Sequence, residues 1–382
     1  MKGTIIFFFL VLTVAFASCR KDAVIGPYEE PADTTVVIVT TYGPELPATL
    51  NDYAGHEYPQ HFLDDPLLNL IGGFGGNTVT NEGSTLGRVL FYDKNLSANN
   101  TISCGSCHHQ DKGFTDGLAF SPGFEGQLTG RNSMSIVNGD FQGRMFWDRR
   151  ANSVETQVLM PIQDPIEMGM DLADLVMKLD TLPYYADLFE AAFGSAEITS
   201  QKIAVALGQF VRSIRSYRTK YDVGVPLNFS NFTTEEELGR QLFTNGDFRC
   251  NSCHATQNIG GPFEQHNGID SIPVDEGVGG FTNDPDEIGM FKTVSLRNIE
   301  LTAPYMHDGR FASLDEVMDF YSTDIEQHAN LDGRLAVGYV TGGTPLQFNF
   351  TQAEKSAMIA FLNTLTDWEM VNDTIYSDPF PE

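Results

Sequence analysis

Cys104-Gly105-Ser106-Cys107-His108 and Cys250-Asn251-Ser252-Cys253-His254 are the two stretches that decide how this chain folds. Each is a C-x-x-C-H: two thiols at fixed spacing, then a histidine. Covalent haem attachment needs this arrangement. The thiols take the two vinyl groups, and the adjacent histidine reaches the iron. The other reading of paired cysteines is a zinc site built from Cys104, Cys107, Cys250 and Cys253. It leaves His108 and His254 unexplained. The chain has five cysteines, and the fifth is Cys19, so none remains for a structural disulfide. The sequence therefore predicts two haem c groups, with His108 and His254 as proximal iron ligands.

Working outward, a phrase repeats ahead of each motif. Leu86-Gly87-Arg88 and Leu238-Gly239-Arg240 are each followed by Leu-Phe, a short polar loop and the cysteines. A helix is expected over Leu86–Asp93, and another from Thr234 to Gly246, with a capping box at its start. Helical spacing also marks Asp171–Leu182, Tyr184–Phe193, Ser200–Tyr217, Ser313–Tyr321 and Thr351–Leu365. Ile71–Gly76 and Gly277–Gly280 read as loops, and Val36–Val39 as a short strand. The fold class that follows is mostly α, with two cytochrome c-type haem domains packed around a shared interface. At roughly 100–200 residues per domain, the 382 residues allow two. The expected division is 1–18 leader, 19–60 tether, 61–222 first haem domain and 223–372 second, with 220–232 as the link.

Lys2, the apolar run Ile5–Phe16 and Ala17-Ser18-Cys19 form an export signal. Small residues before a cysteine resemble a bacterial lipoprotein cleavage site, which would leave Cys19 lipidated. The alternative is an ordinary secretory signal cut near Ala17. Either way the protein is expected in the periplasm or at the cell surface. No later stretch has the ~20 apolar residues of a membrane span. The formal net charge of -28 argues against nucleic acid as a partner. It suits solubility or the docking of a basic redox protein.

Iron with two strong axial ligands shuttles electrons, whereas iron with one protein ligand can bind peroxide or oxygen. The residues beyond the motifs bear on that choice. They include Gly130-Arg131-Asn132-Ser133, Phe146-Trp147-Asp148-Arg149-Arg150-Ala151, Gln157 with Pro161-Ile162, and Pro165-Ile166-Glu167-Met168. In the second half they are Phe291-Lys292-Thr293-Val294-Ser295-Leu296-Arg297-Asn298 and Thr302-Ala303-Pro304-Tyr305-Met306-His307-Asp308-Gly309. With these motifs the chain resembles the bacterial di-haem cytochrome c peroxidase and MauG family, from about His61 to Asp367.

The resemblance implies specific roles. Glu167 matches the acid–base carboxylate over the N-terminal haem, Gln157 the glutamine beside it, and Trp147 the tryptophan between the haems. Asn132, Thr302 and Pro304 match a calcium site of oxygen ligands. The implied reaction is reduction of hydrogen peroxide to water, with electrons from a small c-type cytochrome or similar carrier. The alternatives are a MauG-like oxidase acting on a protein substrate and a non-catalytic electron carrier. Homodimerisation, common in that family, has no signature in this sequence. Two departures stand out. The loop Ala119–Gly126 lacks the histidine that blocks the first haem in many such peroxidases, which implies an open iron. Counting on from Thr302, the place of their methionine ligand on the second haem is held by Tyr321, the MauG pattern. Met306 and Met318 are rival ligands.

Overall fold

The helix Asn81–Tyr92 begins where Thr80 accepts a hydrogen bond from the Gly83 amide, and ends as Asp93 turns extended. It packs along Ser200–Ser213, which Thr199 caps in the same way. Leu86, Leu90, Leu207 and Phe210 are fully buried between them, each contributing roughly 1.5–3 kcal/mol of hydrophobic stabilisation. The second half repeats the pair. Thr234–Thr244 packs along Gln352–Asn363, and both helices open on capping boxes, Thr233 with Glu236 and Thr351 with Glu354. The cap of the former is thus Thr233, one residue before the expected start.

The repeated Leu-Gly-Arg now has a physical reason. A Cβ on Gly87 would lie 2.0 Å from the Ala206 carbonyl oxygen, and one on Gly239 1.8 Å from that of Ala357. Each glycine is where its helix crosses its partner with backbone against backbone. Phe91 meets Phe210, and Phe243 meets Phe361, with ring centroids 5.2 Å apart in both pairs. The same Phe91 and Phe243 lie 6.3 and 6.4 Å from the rings of His108 and His254. The architecture is mostly α, two haem-domain units built on one plan, as the sequence implies. Among the described residues, sheet structure is limited to Glu264–Gln265 against Phe291–Lys292, antiparallel.

This computed structural model describes residues 43–71 and 77–381. The export signal, Cys19, Val36–Val39 and residues 72–76 of the stretch Ile71–Gly76 lie outside them. Among the described residues no helix is long and apolar enough to cross a membrane.

Several sequence expectations are corrected. Residues 43–60, read as tether, pack on the body: Tyr53 is fully buried and its hydroxyl donates to the Ile375 carbonyl at 2.8 Å. Isolated aromatic anchors of this kind leave no periodicity to read. Gly277–Gly280 is not a loop but belongs to a helix, Gly277–Thr282. A Cβ at Gly279 would meet the Ile288 amide at 2.5 Å, so glycine serves close packing there. The link 220–232 contains a short helix, Lys220–Gly224. Its Asp222 forms a buried two-pronged pair with Arg297, 2.8 Å on each arm, and Arg297 stacks over Phe62 at 4.5 Å. Arg297 holds the Asp222 carboxyl well below the usual range. Finally, Met370, Val371, Tyr376 and Phe380 return to the core of the first half, so the second-half segment is not closed on itself at residue 372.

Gly239→Ala should destabilise the haem-loaded protein by about 1–3 kcal/mol, the usual cost of overpacking. Denaturant titration is the check. Alanine is the better helix former by about 1 kcal/mol, so unchanged or raised stability would show that the helices do not cross there.

Candidate functional site

The first cavity, about 540 Å³, collects Cys104, Cys107 and His108 with Gln157, Pro161 and Glu167. His108 is half-buried, and its Nδ1 lies 2.8 Å from the Phe114 carbonyl. Donating there fixes the tautomer and leaves Nε2 free to ligate. Burial lowers the His108 pKa, so the imidazole is neutral, as a metal ligand must be. Burial also pushes the thiols up, Cys104 to about 12 and Cys107 to about 11. The four motif cysteines are free of disulfides. A mainly apolar cavity with two free thiols and a neutral imidazole at its edge fits covalent haem.

Gln157 and Pro161 stand one turn apart on Val154–Gln163, a helix capped by Ser153. Sequence periodicity missed this helix, which carries an internal proline. Glu167 follows in a turn built by Asp164, whose Oδ1 accepts from the amides of Ile166 and Glu167 at 2.8 and 3.2 Å. Its carboxyl is raised to about 7, mainly by burial and next by the Asp164 charge, with Arg150 opposing. The loop Ala119–Gly126 is laid against this turn. Phe124 donates its amide to the Glu167 carbonyl at 2.9 Å, and a Cβ on Gly123 would sit 1.6 Å from the Ile166 oxygen. Among the described residues lining this cavity, His108 is the sole histidine.

The second cavity, about 240 Å³, collects Cys250, Cys253 and His254 with Tyr321, Met318 and Met306. The His254 Nδ1 lies 3.2 Å from the Ile259 carbonyl, and burial lowers its pKa to about 4. Tyr321 is half-buried, and desolvation raises its hydroxyl to about 12. The Asn267 amide lies 3.5 Å from that hydroxyl and 3.8 Å from the Met306 sulfur.

The halves correspond at a constant offset here. Met145 N donates to Ala151 O at 2.8 Å, and Tyr305 N to Phe311 O at 2.7 Å. Arg149 N donates to Phe146 O, and Gly309 N to Met306 O, both at 3.2 Å. Ser153 caps one following helix and Ser313 the other, Leu314–Thr323. On this correspondence Tyr321 takes the place of Pro161, and Met306 that of Phe146.

Asn132, Gln142, Trp147 and Lys292 line both cavities and form the partition between them. Trp147 is held there by its indole N–H, which donates to the Asn132 carbonyl at 3.0 Å, and by its own carbonyl, which accepts from the Lys292 amide at 2.8 Å. Across the halves, Arg131 grips Asp275 at 2.6 and 2.7 Å and Asp148 at 2.6 Å. Asn132, Thr302 and Pro304 meet at the second cavity. Asn132 spends its amide N–H on the Leu118 carbonyl at 2.7 Å, which leaves its side-chain oxygen for a hard cation. Among the described residues no cluster of His, Cys, Asp and Glu could hold a metal, so calcium here would rest on carbonyl oxygens and water. The sequence reading did not single out Lys292, Asp275 or Asn267. Lys292 had a signal, a lysine inside a segment that otherwise reads as core.

Comparison with known proteins agrees with this geometry. The family model for di-haem cytochrome c peroxidase matches residues 81–225. Methylamine utilization protein MauG of Methylorubrum extorquens is 33% identical over 293 residues, 76% of this chain and 79% of that protein. Cytochrome c551 peroxidase of Nitrosomonas europaea is 30% identical over 311 residues, 77% of this chain and 86% of its own. The crystal structure of a MauG-like protein associated with microbial copper homeostasis superposes with a TM-score of 0.70, at 35% identity, over 79% of this chain and 94% of that one. The chain belongs to the di-haem cytochrome c peroxidase and MauG family. Membership brings two haem c groups as its cofactors.

One haem should sit on each motif. Replacing Cys104 and Cys107 together by alanine, or Cys250 and Cys253 together, should each leave one covalent haem by intact mass. Two haems retained in either variant would count against that assignment.

Proposed function

We propose that this protein reduces hydrogen peroxide to water at the first cavity and draws its electrons through the second. The observation that carries the reading is Glu167, a carboxyl raised to about 7 in a cavity that also holds Gln157 and a thiol-and-imidazole haem site. A pure electron carrier has no use for such a group. Ferric haem, when bound, supplies the centre at which peroxide is held and to which electrons are delivered. Glu167 takes the proton from the near peroxide oxygen and returns it to the far one, so one carboxylate serves as base and then acid. Gln157 orients the peroxide by hydrogen bonding. Trp147, in the partition, gives the electron from the second site a short path. The absence of a second histidine among the described lining residues supports an iron open without prior reduction.

The electron donor in this reading is a small c-type cytochrome. The protein acts outside the cytoplasm, held by lipid on Cys19. Asn132, Thr302 and Pro304 would hold calcium, through the Asn132 side-chain oxygen and two carbonyls, and the ion would steady the partition. Tyr321 would hold the C-terminal haem iron opposite His254; its support is that it lines the same cavity as His254 and takes the place of Pro161 in the first. A tyrosinate ligand also supports the second reading, a MauG-like oxidase that withdraws electrons from a protein substrate.

The deciding measurement is peroxide consumption by the ferric, haem-loaded protein, with and without reduced c-type cytochrome. Rapid turnover that oxidises the cytochrome is expected. A long-lived oxidised species with the cytochrome left reduced would favour the MauG-like reading, and no reaction would remove both. Because the carboxylate form must accept the first proton, the rate should rise as pH rises through about 7 and then level off. Glu167→Gln should slow turnover by roughly 10²–10⁴-fold and flatten that profile.

Tyr321→Met should raise the potential of the second haem and abolish the phenolate-to-iron charge-transfer band, since a thioether favours ferrous iron more than a phenolate does. Spectroelectrochemistry reads both. Unchanged spectra would hand the ligand role to Met306 or Met318.

A further inference from the structure

Lys292 lies on the short strand Phe291–Lys292, only 8% exposed, in the wall of both cavities. Its ammonium donates to the Gln142 side-chain oxygen at 2.9 Å. Gln142 is neutral and spends its own amide on the Val137 carbonyl at 2.9 Å. Among the described residues no carboxylate pairs with it: Glu264, opposite it across the two-stranded sheet, is engaged by Arg149. The one charged neighbour with a resolved influence is Arg149, which is repulsive, and burial with that repulsion pulls the ammonium down to about 7.

The other cations bordering these cavities are satisfied. Arg131 has Asp148 and Asp275, Arg150 has Asp148, and Arg297 has Asp222. Arg249 donates to the Arg334 carbonyl and stacks on Tyr339. Among the described residues Lys292 is therefore the cation common to both walls that lacks an anion. A buried charge is tolerated only with a partner. In a chain of net charge -28, an inward-facing ammonium without one marks a place where an anion arrives.

We propose that Lys292 is the internal counter-cation of the haem carboxylates, its ammonium held in the partition between the two cavities to receive a propionate. Haem c carries two such carboxylates, and the family brings two haems to this wall. Lys292 is a positioning and charge-setting residue, not one that touches peroxide. The assignment rests on haem attachment and not on peroxide turnover, so it survives if the proposed reaction fails.

The test is a potentiometric titration of the haem-loaded protein, followed optically at each haem, with intact mass as a separate check of attachment. An ammonium beside a propionate favours the more negative, ferrous state. Lys292→Gln should lower the ferrous-to-ferric ratio at fixed potential about tenfold for at least one haem, a downward shift of about 59 mV for one electron. Lys292→Arg, which keeps the charge, should titrate near the native values with both haems attached. Native potentials in the Lys292→Gln protein would overturn the proposal. So would an equal shift in Lys292→Arg, which would mean that packing and not charge is at stake. If Lys292→Gln attaches less haem, Lys292→Arg decides, since loss there too would make the role structural. Native potentials that move with added chloride, through a Lys292-dependent effect, would assign the ammonium to a small free anion instead.

Discussion

Two reciprocal backbone hydrogen bonds set the geometry on which the rest depends. The Asn132 amide donates to the His307 carbonyl at 2.7 Å, and the Lys292 amide donates to the Trp147 carbonyl at 2.8 Å. By the correspondence of the halves, each bond is the image of the other. Each adds only about 1 kcal/mol net, yet together they fix register, because a slip of one residue would leave all four buried groups without partners. They bring one segment from each half into a single wall. Trp147 is locked into that wall, and the two cavities become neighbours. The Asp222–Arg297 pair and the Arg131–Asp275 grip then hold the halves at its margins. Removing one partner of the buried Asp222–Arg297 pair would cost about 3–5 kcal/mol.

The same backbone frame is used twice with different side chains, and the differences follow a division of labour. Where the first half has Gln157 and Pro161, the second has Val317 and Tyr321, all four lining their cavities. Proline presents no ligating atom, and glutamine brings a hydrogen-bonding group to the first cavity. Valine offers no hydrogen bond and tyrosine offers an oxygen, so the second cavity carries a possible iron-binding atom where the first has none. Trp147 corresponds to His307, which stacks on Phe291 at 3.9 Å. The partition is thus asymmetric in its rings as well as in its charges.

How much of this was legible in the sequence depended on how local the cause was. The C-x-x-C-H motifs, the Leu-Gly-Arg repeat and the amphipathic helices are short-range patterns, and they appear where expected within a few residues. Glu167, Gln157 and Trp147 were legible only through the family motifs. Nothing in a lone carboxylate after Pro-Ile discloses that burial and Asp164 will lift it to about 7. The packing of Tyr53 and Tyr376 was illegible, because each depends on chain hundreds of residues away, as in the bond from the Tyr53 hydroxyl to the Ile375 carbonyl. The Gly277–Thr282 helix was hidden because glycine argues against helix locally, while tertiary packing around Gly279 demands it.

The charge distribution carries the argument one step further. The chain as a whole is strongly acidic, yet the partition gathers Lys292, Arg131 and Arg149. Of the acidic groups lining the first cavity, Asp148 and Asp275 are engaged by Arg131, whereas Glu167 and Asp164 stand in the turn after the Val154–Gln163 helix. A carboxyl that must gain and lose a proton near neutrality is best kept from strong cations, which would hold it ionised. Of the cations, only Arg150 acts appreciably on Glu167, and Arg150 is itself engaged by Asp148 at 3.0 Å. Asp148 therefore makes two contacts: it anchors Arg131 at the interface, and it engages Arg150, the cation that opposes the rise in the Glu167 pKa. The proton affinity of Glu167 is thus set by burial, by Asp164 and by Arg150 rather than by the cations of the partition.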